Sequence, residues 1–164
     1  MILDITSRAN PRVKDLVSRL GGLFVFEGDK LVMDLVTRGE GIQLLIVHER
    51  LRERVHDVRA NEVWVTGRGV LDKISRLKDA PDMIAVMPPP ESRLDLERAR
   101  AVMVLDRLQD PANAGTVFRC AAAFGIDGVV LTGDAVRPWN PRLIRAAQTA
   151  LLDVPWRIEP SLDE

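Results

Sequence analysis

Residues 105–125 read LDRLQDPANAGTVFRCAAAFG. The apolar run from Ala101 to Leu105 predicts a strand that ends at Asp106, and the polar segment around Asp110-Pro111 predicts a loop. A helix is expected to open near Asn113 and to cover about Ala114 to Phe124. A strand that enters a loop and then a helix N-terminus is where open α/β sheets take their ligands. At about 100° per residue, Val117, Cys120, Ala121 and Phe124 share one helix face, the expected core stripe. Arg119 then points roughly 150° away from that stripe. It follows by one turn the gap left by Gly115 and is flanked by Ala122 and Ala123.

Outward from this stretch the alternation continues. Downstream, Gly128 to Leu131 predicts a strand, about Pro141 to Leu151 a helix, and Val154 to Ile158 a last short strand. Upstream, Asn10 is the expected N-cap and Pro11 the first residue of a helix reaching about Leu20, where Gly21-Gly22 ends it. Strands are expected at Leu23 to Phe26, Leu44 to Val47, Val63 to Val65 and Met83 to Met87. Helices are expected at Asp29 to Thr37 (closed by Gly39), Leu51 to Val58 and about Gly69 to Leu77. Strands alternating with helices imply a mainly parallel sheet, the α/β class. Pro88-Pro89-Pro90, with Glu91 and Ser92, interrupts the pattern as a stiff polar connector. The expected division is a small α/β domain at 1–88, a linker at 89–98 and a second α/β domain at 99–164. With three strands and two helices, the second is small for an independent core.

The 164 residues are 46% hydrophobic, enough to bury a core, and no apolar run reaches the roughly 18 residues that a membrane span needs. No basic segment followed by an apolar one opens the chain, so no signal peptide is expected. Cys120 is the only cysteine, which excludes an internal disulfide and fits a reducing cytoplasm, the expected location. His48 and His56, the only histidines, have no cysteine company, so no metal site is expected. A net charge of −1 argues against bulk electrostatic attraction to nucleic acid. All 9 cations of residues 91–164 are arginine, whose planar fork suits phosphate and carboxylate. Genome base content gives the same bias.

Arg119 stands among minimal side chains, where a ligand or another backbone can come close. A solvated arginine on an alanine-rich helix has the same pattern. Asn113 reads equally as a plain N-cap. Cys120 falls on the expected core stripe, which makes it a small buried hydrophobe and not a nucleophile. On the next helix, Leu143, Ile144, Ala147, Ala150 and Leu151 form the apolar face, and Arg142, Arg145, Gln148 and Thr149 lie opposite. Trp139 in the loop before it can stack on a base or cover the helix start. Arg8, Arg12 and Lys14 surround the first helix start, which can hold phosphate or be a solvated face. No Walker A, G-x-G-x-x-G or G-x-S-x-G pattern is present, which removes the commonest nucleotide and hydrolase readings.

The stretch DRLQDPANAGTVFRCAAAFG resembles the first signature motif of the SpoU-type (TrmH-like) RNA ribose 2′-O-methyltransferases of the SPOUT class. The Asp-Pro, the Asn, the Gly, the Arg and the closing Phe-Gly stand in order without gaps. VVLTGDAVRPWNPRLIRAAQTALLDVP resembles the second motif, with Pro141, Arg145 and Pro155 in place. ITSRANPRVK and FEGDKLVMDLV are similar to the family's substrate-binding domain. The resemblance implies a small α/β substrate-binding domain followed by an α/β trefoil-knot domain, one of the rare knotted topologies. It implies transfer of a methyl group from S-adenosylmethionine to a ribose 2′-hydroxyl of structured RNA. The sizeable N-terminal domain favours rRNA over tRNA, and no metal is involved. By the same resemblance Arg119 is the catalytic arginine and Asn113 its motif partner. Arg145 holds RNA phosphate or shapes the site, Arg8 and Arg12 bind substrate, Leu131, Thr132 and Gly133 bind the cofactor, and the protein is a homodimer.

Two departures stand out. Where the family usually has a small hydroxyl residue followed by Gly-Ala after the arginine, Ala147, Gln148 and Thr149 stand instead. The third motif, a Gly-Asn-Glu-type loop that completes the cofactor pocket, is absent before Glu164. The expectation is therefore a form truncated within the knot domain. A non-catalytic RNA-binding module and a dimerising fragment without the cofactor pocket remain the alternatives.

Overall fold

The computed structural model describes residues 1–91 and 94–161. The chain forms two compact units, Met1–Pro88 and Pro89–Glu164.

The first unit is a five-stranded sheet in the order β1-β4-β3-β5-β2. Its strands are β1 (Ile2–Ile5), β2 (Phe24–Glu27), β3 (Ile42–His48), β4 (Ala60–Thr66) and β5 (Met83–Met87). The helices are α1 (Pro11–Arg19), α2 (Asp29–Arg38) and α3 (Arg68–Ile74). Strand β1 has no counterpart among the predicted elements. It is a four-residue edge strand pairing only with β4, and only Ile5 of it is buried, so its short apolar run at the chain start gains its strand character from that pairing. Helix α1 starts as expected: Pro11 occupies the first turn and the Asn10 side chain accepts a hydrogen bond from Arg12 N at 2.9 Å. A left-handed Gly39 closes α2.

Two expectations fail here. Residues 49–55 form a 3-10 turn in place of the helix expected at Leu51 to Val58. Only Val55 of that segment is buried, and one anchor does not sustain an α-helix. Helix α3 ends at Ile74, short of Leu77, because Ser75 turns extended. There Ser75 Oγ and Arg76 N both donate to the Glu27 carboxylate.

Strands β1, β4 and β3 run parallel, whereas β5 is antiparallel to both β3 and β2. Met83 to Met87 is buried throughout, a pattern compatible with either direction. Its direction follows from where the chain enters. Asp82 O accepts from His48 N at 2.8 Å, so β5 begins beside the carboxyl end of β3 and runs back. On one sheet face Leu44, Ile46, Trp64, Ile84 and Val86 pack with Val13 and Leu16 of α1 and Val70, Leu71 and Ile74 of α3. The alternate residues, among them Phe24, Phe26, Leu45, Val63 and Val65, are buried on the other face.

The second unit has a three-stranded parallel sheet in the order β6-β7-β8, made of β6 (Val102–Asp106), β7 (Gly128–Thr132) and β8 (Trp156–Glu159). The helices are α4 (Pro111–Phe124), α5 (Pro141–Ala147) and α6 (Ala150–Asp153). Helix α4 opens at Pro111, earlier than expected. Asp110 is its cap, accepting from Asn113 N at 2.7 Å.

The expected stripe on α4 is also corrected. Ala114, Gly115, Phe118 and Ala121 are the buried residues, Val117 and Cys120 are half-buried, and Phe124 is 78% exposed. The bulkiest inward side chain, Phe118, sets the rotation of the helix. The helix expected over Pro141 to Leu151 is broken at Gln148, whose φ of 55° is left-handed.

The segment expected as a linker is partly packed. Leu94 is buried, and its side chain fills the space that a Cβ on Gly128 would need. Ser92 of the expected connector lies outside the described residues.

Asp127 precedes β7 and accepts hydrogen bonds from Arg100 N (2.8 Å) and Ala101 N (2.9 Å). The bond from Ala101, then that from Arg100, holds its carboxyl below the ordinary value of 3.8. Its folded-state pKa is depressed, so its stabilisation is present above the unfolded value and is lost as pH falls through the folded one. Asp127→Asn is therefore expected to lower the denaturation midpoint at neutral pH and to differ progressively less from wild type as pH drops below 3.8. Chemical denaturation at both pH values checks this, and a pH-independent difference contradicts it.

Candidate active site on the second unit

Helix α4 meets α5 at Gly115. A Cβ there would stand 2.8 Å from Ala147 N and 2.9 Å from Leu143 O, and against the Ala146 side chain. The close approach that Gly115 permits is thus taken by the backbone of α5. Buried Leu143, Ile144 and Ala147 hold α5 in place.

Beyond this crossing the two helices diverge around an open cavity of about 640 Å³. Arg119 projects from the middle of α4 into its lining, with Thr116, Cys120 and Ala123 from the same helix and Gln148 and Thr149 opposite. Arg119 is exposed and has no ion pair or hydrogen bond among the described residues. Gln148 stands at this rim with φ 55° and ψ −136°, a backbone state that costs a residue other than glycine about 1–3 kcal/mol.

The other predicted site residues are distributed differently. Asn113 is exposed, and its side chain is not spent on capping because Asp110 does that work. It lies six residues before Arg119, about 9 Å along the axis, and is not part of the cavity lining. Arg145 is exposed on α5 and also lies outside the lining.

Leu131, Thr132 and Gly133 sit at the carboxyl end of β7, away from the cavity lining. Leu131 and Thr132 are fully buried, so what they present is backbone. Thr132 Oγ1 donates to Asp106 Oδ1 at 2.6 Å, tying the ends of β7 and β6 together. Gly133 turns left-handed at φ 58°, donates from N to Glu159 O at 3.2 Å, and carries the Arg107 side chain against its Cα. Arg137 Nη2 donates to Gly133 O at 3.4 Å, while its Nη1 is buried with no partner among the described residues.

Arg8 and Arg12 of the first unit do not form one cluster. Arg12 Nη1 pairs with Glu62 Oε1 at 2.5 Å, near the amino end of β4. Arg8 lies over Gly69, beyond the carboxyl end of the same strand, with no ion pair or hydrogen bond among the described residues. Two further arginines escape notice in the sequence, Arg50 and Arg68, which share the carboxylate of Asp82. Their signal is positional: each follows a strand end by two residues, and it becomes visible only once those ends are known.

No group of three or more His, Cys, Asp or Glu among the described residues could hold a metal ion, and no described helix is long and apolar enough to cross a membrane.

The second unit is a parallel α/β domain with backbone turns at its strand ends and an unpaired arginine over an open helix face. Residues 100–164 match the model of the SpoU rRNA Methylase family. The chain as a whole is similar to an AdoMet-bound rRNA methyltransferase from Sinorhizobium meliloti, with a TM-score of 0.79 and 26% identity over 99% of this chain and 66% of that one. It is 31% identical to an uncharacterised tRNA/rRNA methyltransferase from Synechocystis over 94% of this chain and 61% of the relative. It is 26% identical to the 23S rRNA (guanosine(2553)-2′-O)-methyltransferase of Bacillus subtilis over 80% of this chain and 52% of that enzyme. The chain thus spans between half and two thirds of these proteins. The mixed α/β fold is that of the SpoU-type methyltransferase structures.

Proposed function

We propose that the protein takes part in transferring a methyl group from S-adenosylmethionine to a ribose 2′-hydroxyl of structured RNA, with ribosomal RNA as the substrate class. The observation that carries this is Arg119, an exposed and unpaired guanidinium facing an open cavity among small side chains. The match of residues 100–164 to the SpoU rRNA Methylase family supports the same reading.

A ribose hydroxyl is a weak nucleophile whose oxygen gains negative charge as it attacks and loses its proton. Arginine stays protonated, with a pKa above about 12, so Arg119 is not the base. Its fixed donors instead stabilise the developing alkoxide and orient a neighbouring phosphate. No ion pair or hydrogen bond among the described residues ties up those donors, although Asp153 shares the cavity lining, and the alanines beside Arg119 leave room for RNA to approach. Arg145, also exposed, adds a second fork for RNA phosphate from α5.

The carboxyl ends of β7 and β8 fit the methyl donor. The turn at Gly133 is covered only by the flexible Arg107 side chain, and the buried Arg137 Nη1 lacks a partner that a carboxylate would supply. The Leu131–Gly133 backbone and Arg137 would hold S-adenosylmethionine there, and the bound group supplies an electrophilic methyl on its sulfonium sulfur.

We further propose that the second unit pairs with another copy through the end of α4, where exposed Phe124 adjoins Ala122 and Ala123. Incubation with radiolabelled S-adenosylmethionine and ribosomal RNA, followed by alkaline hydrolysis, is expected to leave label in alkali-resistant dinucleotides. Sedimentation of the same preparation is expected to give twice the mass of one chain. Label confined to bases, or absent from RNA, contradicts the ribose assignment, and a monomer mass contradicts the pairing.

A further inference from the structure

In the first unit, the register sets Ile5, Thr66 and His48 side by side at the carboxyl ends of β1, β4 and β3. Each of these ends is followed within three residues by an arginine: Arg8, Arg68 and Arg50. The topology therefore gathers three guanidinium groups from three separate loops on one edge of the sheet, the edge at which open α/β sheets take ligands.

Two of them are held in place from below. Asp82 is only 4% exposed, and its carboxylate takes Arg50 on one oxygen and Arg68 on the other. Arg68 also donates to Ala80 O at 2.6 Å. The side chains of Arg50 and Arg68 nevertheless remain 65% and 44% exposed. Each guanidinium has five donors and spends one or two of them inward, so the remainder face solvent from a fixed base. Arg8 has no acidic partner, and it rests on the backbone of Gly69. A Cβ there would lie 2.9 Å from Arg8 Nε and 3.2 Å from Nη2. The Asp4–Arg52 pair at the same edge balances itself, and neutralising Asp82 would need only one of the three remaining guanidinium groups. At the opposite end of β4, by contrast, Arg12 is matched by Glu62 and Arg19 by Asp15.

We propose that this edge, with Arg8, Arg50 and Arg68, is the phosphate-docking surface of the first unit for RNA. The inference rests on the RNA reading above and relocates the contact from the α1 side, where Arg12 sits, to the carboxyl edge of the sheet. Planar guanidinium forks held at fixed positions suit successive backbone phosphates.

The test is fluorescence anisotropy of the full chain with a short labelled RNA hairpin over a series of salt concentrations. Arg8→Ala, Arg50→Ala and Arg68→Ala are each expected to weaken binding about threefold or more and to reduce the salt slope by about one. Each single variant leaves Asp82 at least one guanidinium, and thermal unfolding confirms that the fold persists. Arg50→Lys and Arg68→Lys are expected to keep most of the slope. Gly69→Ala leaves the net charge unchanged but displaces the Arg8 head, and is expected to weaken binding as Arg8→Ala does. Arg12→Ala and Arg19→Ala are expected to bind within about twofold of wild type. Wild-type binding by the three edge variants, with loss in Arg12→Ala, overturns the edge while leaving the RNA reading standing. Absence of hairpin binding by the wild-type chain overturns both. Displacement of the hairpin by polyglutamate at equal charge concentration shows a general anion surface and overturns the RNA assignment of the edge.

Discussion

Replacing Arg119 with alanine is expected to lower the rate of methyl transfer about 10²–10³-fold, the range found when one donor to a developing oxyanion is removed. Thermal unfolding is expected to stay where it is, because the side chain is exposed, faces away from Phe118 and Ala121, and holds no partner among the described residues. Surface substitutions of this kind usually change stability by less than about 0.5 kcal/mol. The combination is diagnostic. An arginine that merely solubilises an alanine-rich helix would leave the rate intact, and one that braces the fold would lower the unfolding temperature. Arg119→Lys sharpens the test. Lysine keeps the charge but not the fork, so it should recover only part of the rate if two oriented donors are needed. Full activity in Arg119→Ala would remove this residue from the chemistry.

Gly115→Ala is expected to act through the fold instead, destabilising the second unit. The added methyl would stand within 3 Å of the α5 backbone at Ala147 N and Leu143 O. Backbone gives less readily than a flexible side chain. Three buried residues, Leu143, Ile144 and Ala147, resist any outward shift of α5. Overpacking of this kind costs about 1–3 kcal/mol, occasionally more. For a unit of this size each kcal/mol lowers Tm by about 4–8 °C. Denaturation monitored by tryptophan fluorescence in a Trp64→Phe background, which leaves Trp139 and Trp156, reads the second unit, and an unchanged midpoint would show that α4 and α5 do not meet as closely as described. A displaced α5 would also carry Gln148 and Thr149 away from the cavity that Arg119 faces, so residual activity should fall along with stability.

Much of the fold was legible as local pattern. The alternation of apolar runs with capped helices is a property of neighbouring residues. Asn10-Pro11 and Gly39 therefore marked the boundaries of α1 and α2 without reference to anything distant. The failures share a cause. Strand β1 is seen only when β4 is there to pair with it. The break at Gln148 leaves no mark in the helical periodicity of residues 141–151, because the strain at one residue depends on what the next turn packs against. The rotation of α4 turned on whether Phe118 or Phe124 went inside, and both fit a 3.6-residue repeat.

The same division holds for the candidate sites. Position 119 was readable as an arginine turned away from an apolar stripe, and it stays turned away although the stripe's centre moves by roughly 80°, because it lies more than about 100° from both centres. Arg8 and Arg12 are four residues apart and were expected to act together. The structure turns them to opposite ends of β4, Arg12 to Glu62 near its start and Arg8 to Gly69 beyond its end. Arg50 and Arg68 are 18 positions apart and share one buried carboxylate.

By itself, then, the order of residues determined what short-range physics controls: the alternation of strands and helices, their caps, the α/β class, and an outward arginine on α4. Long-range contact decided the rest. It chose the antiparallel direction of β5, gave Gly115 to a neighbouring helix and assembled a cationic edge around Asp82. Each of these depends on which distant groups come within a few ångströms, and that is a property of the packed chain that no local pattern contains.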